Sequence, residues 1–189
     1  MLGFGCLFPR GLDVTVIERA SHVMPNLSDE LATLLESKMK EKGIGVLTLS
    51  SLKEINTKED NSLELICNDG ASIPCDLVIM SVGVVPNSEI AQAAGLELGV
   101  KNTIKVDDQL YTSDKDILAV GDAIQVKDYL TGLDVNVPLA GPANRQGRIA
   151  ADVLCGLPST YRGSQGTSIC GMFDLVVAMT GQTPASLLR

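Results

Sequence analysis

The residues with the clearest chemistry are Gly121 and Asp122, which end the stretch Thr112-Ser113-Asp114-Lys115-Asp116-Ile117-Leu118-Ala119-Val120-Gly121-Asp122. Ile117 to Val120 reads as a short buried strand that stops abruptly at Gly-Asp. This places a carboxylate at the carboxyl edge of a sheet, where open α/β folds hold their ligands. Gly121 lets another group approach the backbone, and Asp122 offers an acceptor-only side chain to a ligand hydroxyl. The dipeptide alone reads equally as a strand-end Asp capping a turn. A second acid, Glu18, closes the β-branched run Asp13 to Glu18. A carboxylate there accepts hydrogen bonds from a ribose diol and repels a 2′-phosphate, although an ordinary exposed acid fits the same spacing. Gly83 ends a further apolar run, and Pro86-Asn87 turns the chain into a helix. Gly141-Pro142 opens another helix, whose start carries free N–H groups and partial positive charge.

The elements that must position these residues follow from period and punctuation. Ser28 to Lys42 reads as a helix capped by Ser28 and ended by Gly43, with Leu31, Leu34, Leu35 and Met39 as its apolar face. Between strands Asp13 to Glu18 and Ile44 to Leu49 it makes a β–α–β unit with parallel strands. Leu52 to Ile55 and Leu63 to Cys67 read as antiparallel strands, and Asn68-Asp69-Gly70 as a hairpin turn. Asp76 to Met80 reads as a fully buried strand, Ser88 to Ala94 as a short helix closed by Gly95, and Thr103 to Val106 as a strand. The helix from Gly141 runs to about Leu154, with Pro142 in its first turn and Gly156 past its end.

Composition narrows the classes. The 189 residues include 45% hydrophobic residues, enough for a core, in one large domain or parts of two. Aromatic content of 3% and a net charge of −8, with no basic cluster, argue against nucleic acid as a partner. No apolar run has the length of a membrane span. Cys6, Cys67, Cys75, Cys155 and Cys170 are scattered and contain no CxxC, which points to a reduced, cytoplasmic protein without disulfides or a zinc site. The lone His22 reads as a loop residue, and no metal site is expected.

The Thr112–Asp122 pattern resembles the second flavin-binding motif of the FAD-dependent pyridine nucleotide–disulfide oxidoreductases, in which the Asp hydrogen-bonds the ribityl chain. Ser81-Val82-Gly83-Val84-Val85-Pro86-Asn87 resembles the family's Gly-x-x-Pro-Asn segment, which lies against the nicotinamide cofactor. Val85 stands where many relatives carry Arg, so no charged contact is carried over. Pro138-Leu139-Ala140-Gly141-Pro142-Ala143-Asn144-Arg145-Gln146-Gly147-Arg148 is similar to the flavin-edge segment of the coenzyme A-disulfide reductase and NADH oxidase branch. Tyr161-Arg162-Gly163-Ser164-Gln165-Gly166-Thr167 resembles the opening of that branch's dimerisation domain, with Phe173 to Ala178 as its first strand.

The resemblance implies an α/β, Rossmann-like FAD/NAD(P)-binding fold, with a parallel sheet, an antiparallel β-meander and the start of an α+β dimerisation domain. It divides the chain into a partial NAD(P)-binding domain (1–107), the C-terminal part of an FAD-binding domain (108–160) and the start of a dimerisation domain (161–189). Met1 to Arg10, with Gly3-Phe4-Gly5, reads as a remnant of the nicotinamide domain's glycine fingerprint, and Pro9 sits where the fingerprint helix would run. The family's ADP-binding loop and redox cysteine have no counterpart, so no catalytic residue is assigned. Gly121 and Asp122 would meet the ribityl chain, and Pro138, Leu139, Ala140 and Gly141 the flavin edge. Glu18 and Gly83 would meet the nicotinamide cofactor, NADH, with NADPH possible. The implied reaction passes hydride from NADH through flavin to a small-molecule acceptor, a disulfide such as coenzyme A disulfide, or oxygen, in a homodimer. The alternatives are a ferredoxin- or rubredoxin-reductase relative, and a catalytically inactive remnant acting only as a dimerising module.

Overall fold

The structure, a computed structural model, describes residues 7–183, so the reading of Gly3-Phe4-Gly5 lies outside the described residues. The chain forms two compact units. Among the described residues, the first comprises 7–82, 170–177 and 182–183, and the second 83–169 and 178–181.

In the first unit, β1 (Thr15–Ile17) and β2 (Gly45–Leu47) pair in parallel, with Thr15 opposite Gly45 and Ile17 opposite Leu47. Helix α1 (Asp29–Glu41) connects them. Its N-cap residue Ser28 is extended, and Asp29 and Glu30 sit at the positive end of the helix dipole. Ala32, Leu35 and Met39 face the core with Val23, Leu27, Ile44 and Met172. Leu31 and Leu34, expected on that face, are 55% and 66% exposed. The small Ala32 occupies the stripe instead, because the positions 32, 35 and 39 align at i, i+3 and i+7.

The meander is present as β3 (Leu52–Thr57), β4 (Leu63–Cys67) and β5 (Ser72–Cys75), antiparallel in that order. In its turn only Gly70 has positive φ, at 86°. Asp69 holds the turn through its carboxylate, which accepts the Ala71 N–H at 3.0 Å. Asp76 to Met80 is not a strand. Leu77, Ile79 and Met80 are 67%, 55% and 57% exposed. A run apolar on both faces needs neighbours on both edges, and the described residues provide it with none.

The strand expected from Phe173 to Ala178 is also corrected. Phe173 is a turn residue with φ 56°, not the first residue of a strand. The turn joins β8 (Ser168–Met172), which the sequence reading missed, to β9 (Leu175–Met179). Met172 enters the core, Phe173 meets Phe8 edge-on at 5.7 Å between ring centroids, and Lys38 pairs with Asp174 at 3.1 Å.

The second unit is built on helix α3 (Ala140–Leu154), which buries Gln146, Ile149 and Val153. Around it pack Leu110, Ile124, Val126 and Tyr161. A short helix α2 (Glu89–Ala93) and a two-stranded ladder, β6 (Val126–Lys127) with β7 (Asp134–Val135), complete its regular elements. Thr103 to Val106 and Ile117 to Val120 are not full strands. Ile104 makes isolated bridges to Leu98 and Ile124, and Leu118 makes one to Tyr111. Ile117 and Val120 are 38% and 40% exposed, so an apolar run with a single bridging residue remains a half-covered loop.

Candidate functional site

The loop leading to Asp122 is held by a chain of hydrogen bonds. Asp107 Oδ1 accepts the N–H groups of Gln109 and Tyr111, both at 3.0 Å, and its other oxygen accepts Lys115 Nζ at 2.8 Å. Burial raises the Asp107 pKa, but the hydrogen bonds from Lys115, Tyr111 and Gln109 lower it further, and the net displacement is downward. Leu110, fully buried, accepts the Ala119 N–H at 3.0 Å and so sets the approach to Gly121.

Gly121 and Asp122 form a tight turn, closed by the Ile124 N–H on the Gly121 carbonyl at 3.3 Å. Gly121 has φ 88°, a left-handed conformation that disfavours any side chain. No atom lies within 4 Å of where its Cβ would stand, so there is room for a neighbour to approach. Beyond the turn, Ile104 brackets the chain, donating to the Ala123 carbonyl and accepting the Gln125 N–H, both at 2.8 Å. Asp122 sits at the tip. Its carboxylate is exposed and has no hydrogen bond or ion pair among the described residues. An acceptor-only group in that state is available to ligand hydroxyls.

Two residues to which the sequence assigns no role hold this turn. Gln146, 1% exposed, accepts the Gly121 N–H on Oε1 at 2.7 Å. Asn136 Nδ2 donates to the Asp122 carbonyl at 2.8 Å and to the Ile124 carbonyl at 3.4 Å. The signal for Gln146 was in the sequence. It shares the stripe of Ile149 and Val153, and a polar side chain on an apolar stripe must find a partner when buried.

The same helix joins the turn to the other predicted segment. Pro138 and Leu139 are half-buried and lead into α3, with Leu139 as an extended N-cap. Ala140 and Gly141 are its first residues, and no side chain caps this end, so first-turn N–H groups face outward without intrahelical partners. A Cβ built on Gly141 would touch nothing within 4 Å. Gln146 lies six residues after Ala140, about 9 Å along the axis. Beside the helix start is an open cleft of about 520 Å³, lined by Gly141, Pro142, Arg145, Tyr129, Tyr161 and Arg162 among others.

Glu18 and Gly83 fall in different units. Glu18 follows β1, and its Oε1 accepts the Ala20 N–H at 2.8 Å. Gly83 is exposed with φ 105°. His22 is a loop residue, with Nε2 3.3 Å from Asp29 and Nδ1 3.0 Å from the Val23 carbonyl. Among the described residues no cluster of His, Cys, Asp and Glu has the arrangement of a metal site, and no helix is long and apolar enough to cross a membrane. Cys67, Cys75, Cys155 and Cys170 are free thiols.

The parallel β–α–β unit, the meander and the Gly-Asp turn beside a helix start define a Rossmann-type FAD/NAD-binding reductase fold. Residues 4–147 match the model of the pyridine nucleotide-disulphide oxidoreductase family, and the chain belongs to that family. It is 35% identical over 178 residues to an NADH oxidase of Methanocaldococcus jannaschii, an alignment covering 94% of this chain and 39% of that protein. It is 31% identical to a CoA-dependent NAD(P)H sulfur oxidoreductase of Pyrococcus furiosus, covering 92% of this chain and 39% of that protein. The solved structure of reduced Bacillus anthracis CoADR-RHD superimposes with a TM-score of 0.92 at 40% identity, covering 98% of this chain and 33% of that one. The chain thus spans about two fifths of the length of the curated relatives it matches.

Proposed function

We propose that this chain is the flavin- and nicotinamide-handling part of an FAD-dependent NAD(P)H oxidoreductase. The reaction passes hydride from NADH through flavin to a disulfide of the coenzyme A disulfide type, or to oxygen. The observation that carries the reading is the Asp122 carboxylate, exposed and without a partner at the tip of a turn fixed by buried hydrogen bonds. The residues present fit the flavin half of FAD. Asp122 accepts ribityl hydroxyls, Gly121 gives them backbone clearance, and Pro138, Leu139, Ala140 and Gly141 border the ring. Hydride acceptance and electron transfer are chemistry that bound FAD supplies. The positive end of α3 favours negative charge at the ring's edge. Glu18 selects the ribose diol of NADH over the phosphate of NADPH, and Gly83 leaves the nicotinamide side open to close approach. The 1–107, 108–160 and 161–189 divisions belong to this reading, as do a homodimer, a small-molecule acceptor and a cytoplasmic setting.

The test is FAD titration of the 189-residue chain, followed by flavin fluorescence. The expected result is weak, saturable binding that Asp122→Ala weakens about tenfold, the effect of losing one hydrogen bond to a charged group. Equal affinity of the two proteins removes Asp122 from the flavin site.

A further inference from the structure

A glycine turn is the least rigid way to present a carboxylate. Gly121 has no side chain to pack, and its left-handed φ is one of several conformations open to glycine. Its orientation therefore depends on what its peptide groups bond to. The Gly121 N–H is bound by the buried Gln146, and the Asp122 and Ile124 carbonyls are bound by Asn136. Gln146 occupies a position on the α3 stripe where Leu or Met would fill a similar volume without a polar group to desolvate. Packing alone does not account for glutamine there.

We propose that Gln146 is a positioning residue for the Asp122 carboxylate, an inference that rests on the flavin reading above. By gripping the turn from inside α3, it makes one rigid element set both the ribityl-facing carboxylate and the ring-facing helix start. It also determines ligand chemistry at the turn. The Gly121 N–H is spent on Gln146 and is withheld from any ligand. What the turn then presents beyond its backbone is the Asp122 carboxylate, an acceptor-only group that suits the hydroxyls of a polyol chain.

The experiment titrates the full chain with riboflavin and with lumiflavin, which has the same ring system but no ribityl chain. The unaltered chain is expected to bind riboflavin more tightly. Gln146→Met should weaken riboflavin roughly tenfold, one lost hydrogen bond and an orphaned N–H, while lumiflavin is unchanged. Gln146→Glu, whose carboxyl oxygen can take the same N–H, should restore riboflavin to within about threefold. Gln146→Met added to Asp122→Ala should cost no more than Asp122→Ala alone, because both changes act through one carboxylate. If Gln146→Met does not fold, Asn136→Leu loosens the turn from its other side and should give the same riboflavin-selective loss. Equal weakening of both flavins, or additive losses in the double variant, overturns the inference and leaves Gln146 a packing residue. An unaltered chain that binds neither flavin overturns the proposed function, and with it this inference. Riboflavin binding that Asp122→Ala lowers and Gln146→Met does not refutes the role of Gln146 alone.

Discussion

At the scale of single residues, Gln146 and Asn136 fix the turn whose exposed end is the Asp122 carboxylate. Asp122 stood out because an acid after Gly at the end of an apolar run has an obvious use. Gln146 and Asn136 did not, because their partners are backbone atoms 25 and 14 residues away, and no local pattern encodes such distances. Glu18 was open in the sequence and is partly explained by the structure, where it braces its own loop through the Ala20 N–H. One oxygen engaged in that way still leaves an acceptor for a ribose diol. If it serves one, NADH binds more tightly than NADPH, and Glu18→Ala narrows the gap by about tenfold through loss of repulsion and of a charge-assisted bond. Calorimetric titration of both cofactors decides it, and equal affinities in the unaltered chain take Glu18 out of the site.

Asp107 carries a pH prediction of known sign. Its folded pKa is lowered, so as pH falls the unfolded chain takes up a proton at this site first. The stabilisation is therefore complete above the ordinary carboxylate value and is lost as pH drops below about 4 toward the folded value. The group is 39% exposed, so screening keeps its share small, under about 1 kcal/mol. Urea unfolding of the chain and of Asp107→Asn should differ at pH 6, and the difference should shrink as pH falls below about 4. A constant difference across that range would mean that the Lys115 contact does not govern the titration.

At the scale of elements, those with local signals were legible and those needing distant partners were not. Helices α1 and α3 lie within a residue or two of expectation because Ser28, Gly43, Pro142 and Gly156 mark their ends. The parallel pairing of β1 and β2 followed from the helix between them. The apolar runs Asp76 to Met80 and Ile117 to Val120 read as strands by composition, yet a strand exists only with a ladder partner, and composition does not supply one. The β8–β9 hairpin shows the reverse, since its turn uses Phe173 at positive φ, where Gly or Asn is the usual signal. Met172, 4% exposed, anchors that hairpin to the α1 core, so Met172→Ala should lower unfolding stability by about 2–4 kcal/mol. Val176→Thr, at a position 69% exposed on the other face, should change it by less than about 0.5 kcal/mol. Chemical denaturation of both variants tests the docking, and a neutral Met172→Ala would show that the hairpin is not held there.

At the scale of the whole molecule, the question is which surface makes the chain associate with itself. The resemblance to a dimerisation domain points to the segment from Phe173 to Ala178. The structure lowers that expectation, because Met172, Phe173, Leu175 and Val177 turn toward the α1 core and only Ile169 and Val176 stand out from the hairpin. A larger apolar surface lies elsewhere. Leu77, Ile79, Met80, Val82, Val84 and Val85 are each 55–85% exposed along one continuous segment. A run of exposed apolar, largely β-branched side chains of this kind is the surface that pairs with another copy of itself. Among the described residues, the parallel ladder of β1 and β2 pairs with no further strand, although parallel strands are ordinarily covered on both sides. The 189-residue chain should therefore self-associate as concentration rises, through residues 77–85. Two charge-bearing variants separate the surfaces in light scattering coupled to size exclusion. Ile79→Glu with Val84→Glu should move the population toward monomer, since each buried carboxylate would cost more than the contact returns. Ile169→Glu with Val176→Glu should leave the distribution unchanged. The opposite pattern would return the interface to the hairpin, where the family resemblance places a dimerisation domain, and a clean monomer in all three proteins would show that neither surface recruits a second copy.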